Sequence, residues 1–241
     1  MKISLLFLTS LLPLFICAPV VHSADIYVEY QMTGITNTPV NSKMYGKNGN
    51  LRTETTMSMG GKQMSTTTLM LKSSPNVAYV FNSLTKTYTE VKVNPKAAIK
   101  DVAIKILGKE KVGNYNCTHV KMTADGKSWD AWFTKDLPSF DSPISGNSEW
   151  GSQKVMNELK SKGVTGMMAK VVFLTPGAKA KTVTMQLTKY ESKMLSNSLF
   201  TLPAGYKKSS VTLDPEKMKN MTLEQKKELM MKMMKEQQLK H

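Results

Sequence analysis

The 241-residue sequence predicts a mainly β fold: a curved antiparallel half-open β-barrel with a short inserted helix and a C-terminal helix. Three observations lead there. From Asp25 onward apolar and polar residues alternate in short runs, the pattern of strands buried on one side only. Turn signals such as Asn48-Gly49 separate the runs at hairpin spacing. Helical periodicity interrupts them once within the domain, so there is no βαβ rhythm and no parallel sheet to build. A plain β-sandwich remains the architectural rival.

The elements follow in order. Ile26, Val28, Tyr30 and Met32 share one face of a first strand, with Glu29, Gln31 and Thr33 on the other. A turn region from Gly34 to Asn41 leads to a strand around Ser42-Lys47. Asn48-Gly49 then opens a strand in which Leu51, Thr53, Thr55 and Met57 alternate with Arg52, Glu54 and Thr56. Gly60-Gly61 turns into Gln63-Leu71, and Ser73-Ser74-Pro75-Asn76 into Val77-Asn82. Lys86-Val93 completes six strands in meander order. Residues Pro95 to Leu107 fit both periods, and the reading is one helical turn followed by strand. Tyr115-Met122 and Ser128-Thr134 form a hairpin across Asp125-Gly126, and a Pro-, Ser- and Gly-rich loop fills Asp136 to Asn147. A helix over roughly Glu149-Lys162 carries Val155, Met156 and Leu159 on one face and stops at Gly163. Met167-Thr175 and Thr182-Tyr190 meet across Pro176-Gly177, and Leu199-Phe200 with Pro203-Ala204-Gly205-Tyr206 closes the domain.

Residues 1–23 have the form of a secretory signal peptide: Lys2, an apolar run from Ile3 to Val21, and small residues at Ser23-Ala24. Cleavage there leaves a mature N-terminus at Ala24 or Asp25 and places the protein in the periplasm or otherwise outside the cytoplasm. An uncleaved anchor and lipidation at Cys17 are the alternatives; Pro13 and the bulky Phe15-Ile16 argue against them. The division that follows is 1–23 signal peptide, 24–208 β domain, and 209–241 linker and Met/Lys-rich amphipathic helix.

The formal charge is +15, yet Arg52 is the sole arginine. Bidentate recognition of phosphates and guanine edges relies on arginine, and the lysines are scattered, so nucleic acid is not the expected partner. Solvated lysines on an exported domain explain the excess, with attraction to an anionic membrane surface as a further role. Only Cys117 remains after processing, so the core and not a disulfide must hold the fold.

The residues offer little to catalysis. His119 and His241 are the histidines beyond the signal, and there is no GxSxG, HExxH or CxxC motif and no phosphate loop. Cys117 and His119, two apart on one strand, face the same way; they could form a thiolate–imidazole pair or part of a metal site, although two ligands do not make one. The expectation is a protein that is not an enzyme, with no catalytic residues, no metal and no cofactor.

Methionine is the compositional oddity, with 19 in the chain. A sheet whose inner face carries Met and Thr in place of Leu and Phe is adaptable, which suits a pocket for acyl chains or an apolar peptide. Alternation nominates Met32, Met57, Met70, Met167 and Met185 as lining residues. Beyond the domain, Thr222 and Gln225 form a capping-box pattern before a helix over Leu223–Lys240. Leu223, Leu229, Met230, Met233 and Met234 share one side of that helix, as a lid or membrane contact, against Glu228, Lys232, Lys235 and Glu236 on the other. Collection of a soft metal through thioether sulfur is the competing role for this tail.

Three stretches carry a resemblance. Ile106-Leu107-Gly108-Lys109-Glu110-Lys111-Val112-Gly113-Asn114-Tyr115-Asn116-Cys117 and Asp130-Ala131-Trp132-Phe133-Thr134-Lys135-Asp136-Leu137 resemble consecutive segments of a bacterial exported domain-of-unknown-function family. Ser198-Leu199-Phe200-Thr201-Leu202-Pro203-Ala204-Gly205-Tyr206-Lys207-Lys208 resembles the close of LolA/LolB-like outer-membrane lipoprotein-sorting domains. The resemblance implies an incomplete antiparallel barrel around an apolar cavity, which in the carriers takes lipoprotein acyl chains. These motifs are turns and strand ends, so no ligand-contacting residue transfers with them. The functional expectation is an extracytoplasmic binding protein for a hydrophobic ligand, a lipid or a lipidated protein. The alternatives are a structural or interaction module of the cell envelope and a soft-metal binder acting through the tail.

Overall fold

The computed structural model describes residues 25–59, 62–83, 85–92, 101–124, 126–138, 153–175 and 180–209, with 221, 222, 225 and 228. Twelve strands among them form a single sheet, which excludes the sandwich. They are β1 (Ile26–Thr33), β2 (Val40–Lys47), β3 (Asn50–Met59), β4 (Lys62–Met70), β5 (Val77–Asn82), β6 (Thr87–Lys92), β7 (Val102–Val112), β8 (Tyr115–Ala124), β9 (Lys127–Thr134), β10 (Met167–Leu174), β11 (Thr182–Ser192) and β12 (Lys207–Lys208). The spatial order is β12-β6-β5-β4-β3-β2-β1-β11-β10-β9-β8-β7, antiparallel throughout except where β12 joins β6 in parallel. Its two end strands do not pair with each other, so the sheet is an open half-barrel: the alternation predicts the curved antiparallel sheet, and the resemblance implies its incomplete closure.

Because side chains alternate and neighbouring strands are in register, the whole sheet has two distinct faces. Helix α1 (Gln153–Ser161) lies on the face defined here as inner. Its Val155 and Leu159 are fully buried against Val120, Met122, Trp129, Ala131, Phe133 and Val171, and Met156 packs half-buried beside them. Burial of each such aliphatic side chain is worth roughly 1.5–3 kcal/mol. The helix stops where the sequence requires. Gly163 takes φ +72°, its N–H donates to the Lys160 carbonyl, and the Val164 N–H reaches back to the Leu159 carbonyl, both at 2.9 Å. This is the double bond pattern of a Schellman cap, with Val164 buried as its apolar partner.

The outer face of β3–β6 is covered by the C-terminal segment. A 3₁₀ turn at Asn197–Phe200 places Phe200 and Leu195 on Leu69 and Phe81. Tyr206 meets the Phe81 ring edge-on, with centroids 5.4 Å apart, after Gly205 makes its bend at φ +83°. The Arg52 side chain is spent here, pairing with Glu54 at 2.7 Å and donating to the Leu199 carbonyl at 3.3 Å. Asp25 ties both ends of the domain: its carboxylate meets Lys47 at 3.1 Å and accepts the Leu195 N–H at 2.8 Å.

Two features depart from the sequence reading. The strand after Pro95 begins at Val102 and runs to Val112, forming a hairpin with β8 across Gly113-Asn114; the expected helical turn falls outside the described residues. The expected strand is present, and a bulge between Ile106 and Gly108 shifts the parity of β7 halfway, which hid its continuation to Val112 from a period-two search. The other departure is β12, two residues that sequence alternation cannot register as a strand.

Two glycines mark close approaches. A Cβ on Gly166 would lie 1.9 Å from the Thr134 carbonyl oxygen, and one on Gly34 would lie 2.0 Å from that of Thr182. Gly166 also takes φ +97°. Gly166→Ala is therefore expected to destabilise by more than about 2 kcal/mol, since both backbone conformation and space oppose it. Urea unfolding measures this, and a loss below 0.5 kcal/mol (about the size of a neutral surface change) would contradict the packing described.

Candidate functional site

Register assigns the positions of β1–β6 to a face, and charge falls on the outer face with one exception. The inner face is built of transverse rows. Ile26, Gly46, Leu51, Met70, Ala78 and Val91 form an apolar row across six strands. The next row is Val28, Met44, Thr53, Thr68, Val80 and Thr89. Beyond it Tyr30, Ser42, Thr55, Thr66, Asn82 and Thr87 stand side by side, all polar and all uncharged. Met32 beside Val40, and Met57 beside Met64, return the surface to apolar. Among these register positions the sole basic or acidic residue is Lys62, at the tip of the β3–β4 hairpin opposite Met59. Glu29, Lys43, Arg52, Glu54, Glu90 and the aromatics Tyr27, Tyr45, Tyr79, Phe81 and Tyr88 all occupy the outer face.

The nominated methionines occupy the following places. Met32 and Met185 are direct cross-strand partners on the inner face, both half-buried. Met57 is half-buried beside Met64, and Met70 is buried beside Leu51. Met167, at the head of β10, is buried against Val28, Tyr30 and Leu187. The structure thus joins Met32 and Met185 in one contact and sets Met57 and Met70 farther along the same face.

The inner-face hydroxyls are not fully used by the protein. Ser42 and Thr55 share a hydrogen bond at 3.4 Å, whereas Thr53 Oγ1 is buried with no partner. A buried unpaired hydroxyl costs about 1–3 kcal/mol, so the position is one where a ligand group would recover energy. Tyr30, by contrast, is satisfied by the Met168 carbonyl at 2.8 Å, and burial pushes its phenol pKa up. Sequence reading named the methionines and noted threonine on this face. It missed the row through Ser42, Thr55, Thr66, Asn82 and Thr87, because each strand contributes one member.

Cys117 and His119 do lie on one face of β8, the outer one, yet they do not form a pair. The buried thiol donates to the Tyr115 carbonyl at 3.7 Å, and burial pushes its pKa up. Both imidazole nitrogens of His119 face carboxylates, Nε2 at 3.1 Å from Asp130 and Nδ1 at 3.5 Å from Glu110. The ring stacks on Trp132 at 4.1 Å, whose indole N–H donates to Glu110 at 2.8 Å, and Lys170 lies 4.5 Å from the Trp132 ring centroid. This arrangement locks β7 through β10 together on the outside. Among the described residues no group of three or more His, Cys, Asp or Glu could hold a metal ion.

The nominated tail residues Leu223, Leu229, Met230, Met233 and Met234 lie outside the described residues. The expected capping box is present: the Thr222 N–H donates to Gln225 Oε1 at 2.8 Å, and the Gln225 N–H to Thr222 Oγ1 at 3.2 Å. No helix among the described residues is long and apolar enough to cross a membrane.

With this geometry in hand, comparison with known proteins places the chain. The domain of unknown function DUF4412 matches it over residues 28–206. The chain belongs to this family. No curated protein matches it. Among solved structures, this DUF4412 member is similar to an uncharacterized conserved protein from Thermus thermophilus, at 10% identity and TM-score 0.51, over 78% of this chain and 90% of that one. It also matches the Pseudomonas aeruginosa MucA/MucB complex at 9% identity and TM-score 0.43, over 79% of this chain and 59% of that one. A LolA superfamily protein from Nitrosomonas europaea matches at 9% identity and TM-score 0.33, over 74% and 90% of the respective chains. The DUF4412 chain spans 32% of PNGF-II, another structure it matches. The expectation of a domain-of-unknown-function family is borne out by the family match.

Burial gives this DUF4412 chain an alkaline sensitivity. The Cys117 thiol is pushed above its ordinary value of 9.0, and Tyr45, through burial and the Glu54 carboxylate, up to about 12 from 10.0. Tyr27 and Tyr30 are raised too, both chiefly by burial. A raised pKa means the folded form holds its proton where the unfolded form has lost it. Stability is therefore whole below the ordinary thiol and phenol range and falls as pH climbs through it. Thermal melts should decline in midpoint from about pH 9 upward, and Cys117→Ala should flatten the first part of that decline. A midpoint unchanged between neutral and alkaline pH would contradict the burial assigned to these groups.

Proposed function

We propose that this chain is an extracytoplasmic binding protein that holds a hydrophobic ligand, a lipid or the acyl chain of a lipidated protein, against the inner face of β1–β6 and β11. The observation that carries the proposal is the partition of charge. In a chain of formal charge +15, Lys62 at the β3–β4 tip is the single charged residue among the inner-face register positions of β1–β6, which carry methionine and threonine where a tightly packed core uses leucine and phenylalanine. Flexible, polarizable Met32, Met57, Met70, Met167 and Met185 suit apolar chains of varied shape. Export through residues 1–23 gives the extracytoplasmic setting of this reading.

The test is direct. The uncharged fluorophore N-phenylnaphthylamine should brighten and shift to the blue on binding the mature protein. Met57→Gln and Met185→Gln should each weaken it about tenfold, as expected for loss of one buried apolar contact, with thermal midpoints retained. A fluorophore that stays dark, on a protein shown to be folded, would favour the alternative of a filled-core interaction module of the envelope.

The tail is part of the same proposal. The Thr222–Gln225 capping box supports a helix beginning there, whose apolar side would cover the ligand or rest on an anionic membrane. Because Lys207 and Lys208 form β12, a clean truncation falls after Ser209 and not earlier. That truncated protein should keep its thermal midpoint and lose affinity for phosphatidylglycerol vesicles. Equal vesicle binding by both forms, with Cu(I) binding confined to the full chain, would replace this role with soft-metal collection.

A further inference from the structure

Resting on the proposed ligand site, we infer that the inner face selects uncharged amphiphiles, lipids whose polar part consists of ester, hydroxyl or amide groups, and discriminates against lipids with an ionised head group. The row of Tyr30, Ser42, Thr55, Thr66, Asn82 and Thr87 crosses six adjacent strands as a continuous band of neutral hydrogen-bonding side chains. Strands lie about 4.8 Å apart, so the band is roughly 24 Å long, and successive rows along a strand are about 7 Å apart. Met32, Val40, Met57 and Met64 border it on one side; on the other come the mixed row of Val28, Met44, Thr53, Thr68, Val80 and Thr89 and then the apolar row through Leu51 and Met70.

The geometry matches a molecule with a neutral polar linker and an apolar chain. Ser42 bonds Thr55, Thr87 bonds Thr85 and Asn82 Oδ1 accepts the Thr85 N–H. A hydroxyl has one donor and two acceptor positions, however, so those of Thr55 and Thr66 can serve an ester carbonyl and a glyceryl hydroxyl equally. The band cannot neutralise a carboxylate or phosphate. Among the register positions of β1–β6, Lys62 is the one cation on this face, four residues from Thr66 along β4 and so about 13 Å from the band. Lys43 and Arg52 project from the opposite face, with Arg52 engaged by Glu54 and the Leu199 carbonyl. An anion brought here loses its water with no counter-charge in return, which is the costliest form of burial. One row away Thr53 Oγ1 is buried with no partner among the described residues.

The experiment compares lipids of one acyl chain and different heads. Monooleoylglycerol, oleate and a neutral amidated lipopeptide carrying an oleoyl glyceryl ester compete with N-phenylnaphthylamine for the full mature chain at about pH 8, where a carboxylate is ionised. Monooleoylglycerol or the lipopeptide should displace the fluorophore at concentrations about tenfold or more below oleate; which of the two is tighter identifies a free glyceride or an acylated protein as the source. Thr66→Lys should reverse the order in favour of oleate, and Thr55→Val with Thr66→Val should narrow the gap. Oleate equal to or tighter than both neutral lipids overturns the inference while leaving a lipid site in place. Failure of all three to displace a bound fluorophore overturns the lipid reading as well. The wild-type panel decides the matter even if a variant fails to fold.

Discussion

The pairing of β1 with β11 is the contact on which the rest of the structure depends. It joins two meanders, β1–β6 and β7–β11, whose internal connections are all local. Without it the chain would present two small sheets with separate edges. The register runs from Ile26 opposite Ser192 to Thr33 opposite Thr184, through a bulge at Glu29/Tyr30. There the Thr188 hydroxyl donates to the Glu29 carbonyl at 3.1 Å and satisfies a group the bulge would leave unpaired. Gly34 then brings the end of β1 against the Thr182 carbonyl, an approach that no side chain permits. Strands about 160 residues apart must find each other to make this pairing, which closes the largest loop in the fold.

That one register also decides what each face contains. A shift of one residue in β2 would carry Lys43 inward, one in β3 would carry Arg52 and Glu54 inward and expose Leu51, and one in β4 would expose Met70. The sheet is held against such a slip from both sides. On the outside, Leu69, Phe81, Leu195, Phe200 and the rings of Tyr45, Tyr79, Tyr88 and Tyr206 form a cluster that only one register assembles. On the inside, α1 locks β7–β10 through Val155 and Leu159. The inner face of β1–β6 is thus specified from behind as well as by its own apolar row of Leu51, Met70 and Ala78, while Thr53, Thr55, Thr66 and Thr68 stay half-buried. These threonines are tolerated there because register does not depend on them.

The outer face of β7–β10 shows the opposite economy. Glu110, His119, Asp130, Trp132 and Lys170 come from four strands and satisfy one another by hydrogen bond, stacking and cation–π contact. Cys117 and His119 share this face and are separated in function: the thiol is buried and turned to a carbonyl, the imidazole held between carboxylates. A motif-like pair in sequence is here two pieces of a structural seam.

The sequence by itself determined the antiparallel class, six meander strands before residue 95, the helix around Leu159 and the location of the closing bend at Gly205-Tyr206. All of these rest on periodicity and turn chemistry within a dozen residues, where local sterics dominate. It also showed that Met32, Met57, Met70 and Met185 fall on apolar positions of their own strands. Which of them meet was decided only by tertiary structure, because a strand's pattern fixes its parity and not its partner. Met32 lies beside Met185 through a pairing 153 positions apart in the chain. The row through Ser42, Thr55, Thr66, Asn82 and Thr87 exists only once five strands are in register, and so does the cluster around His119. The bulge at Leu107 hid the second half of β7 by changing its parity midway, and the two-residue β12 carries no period at all. Both depend on backbone pairing with distant segments, a hydrogen-bond constraint that no local pattern of side chains records.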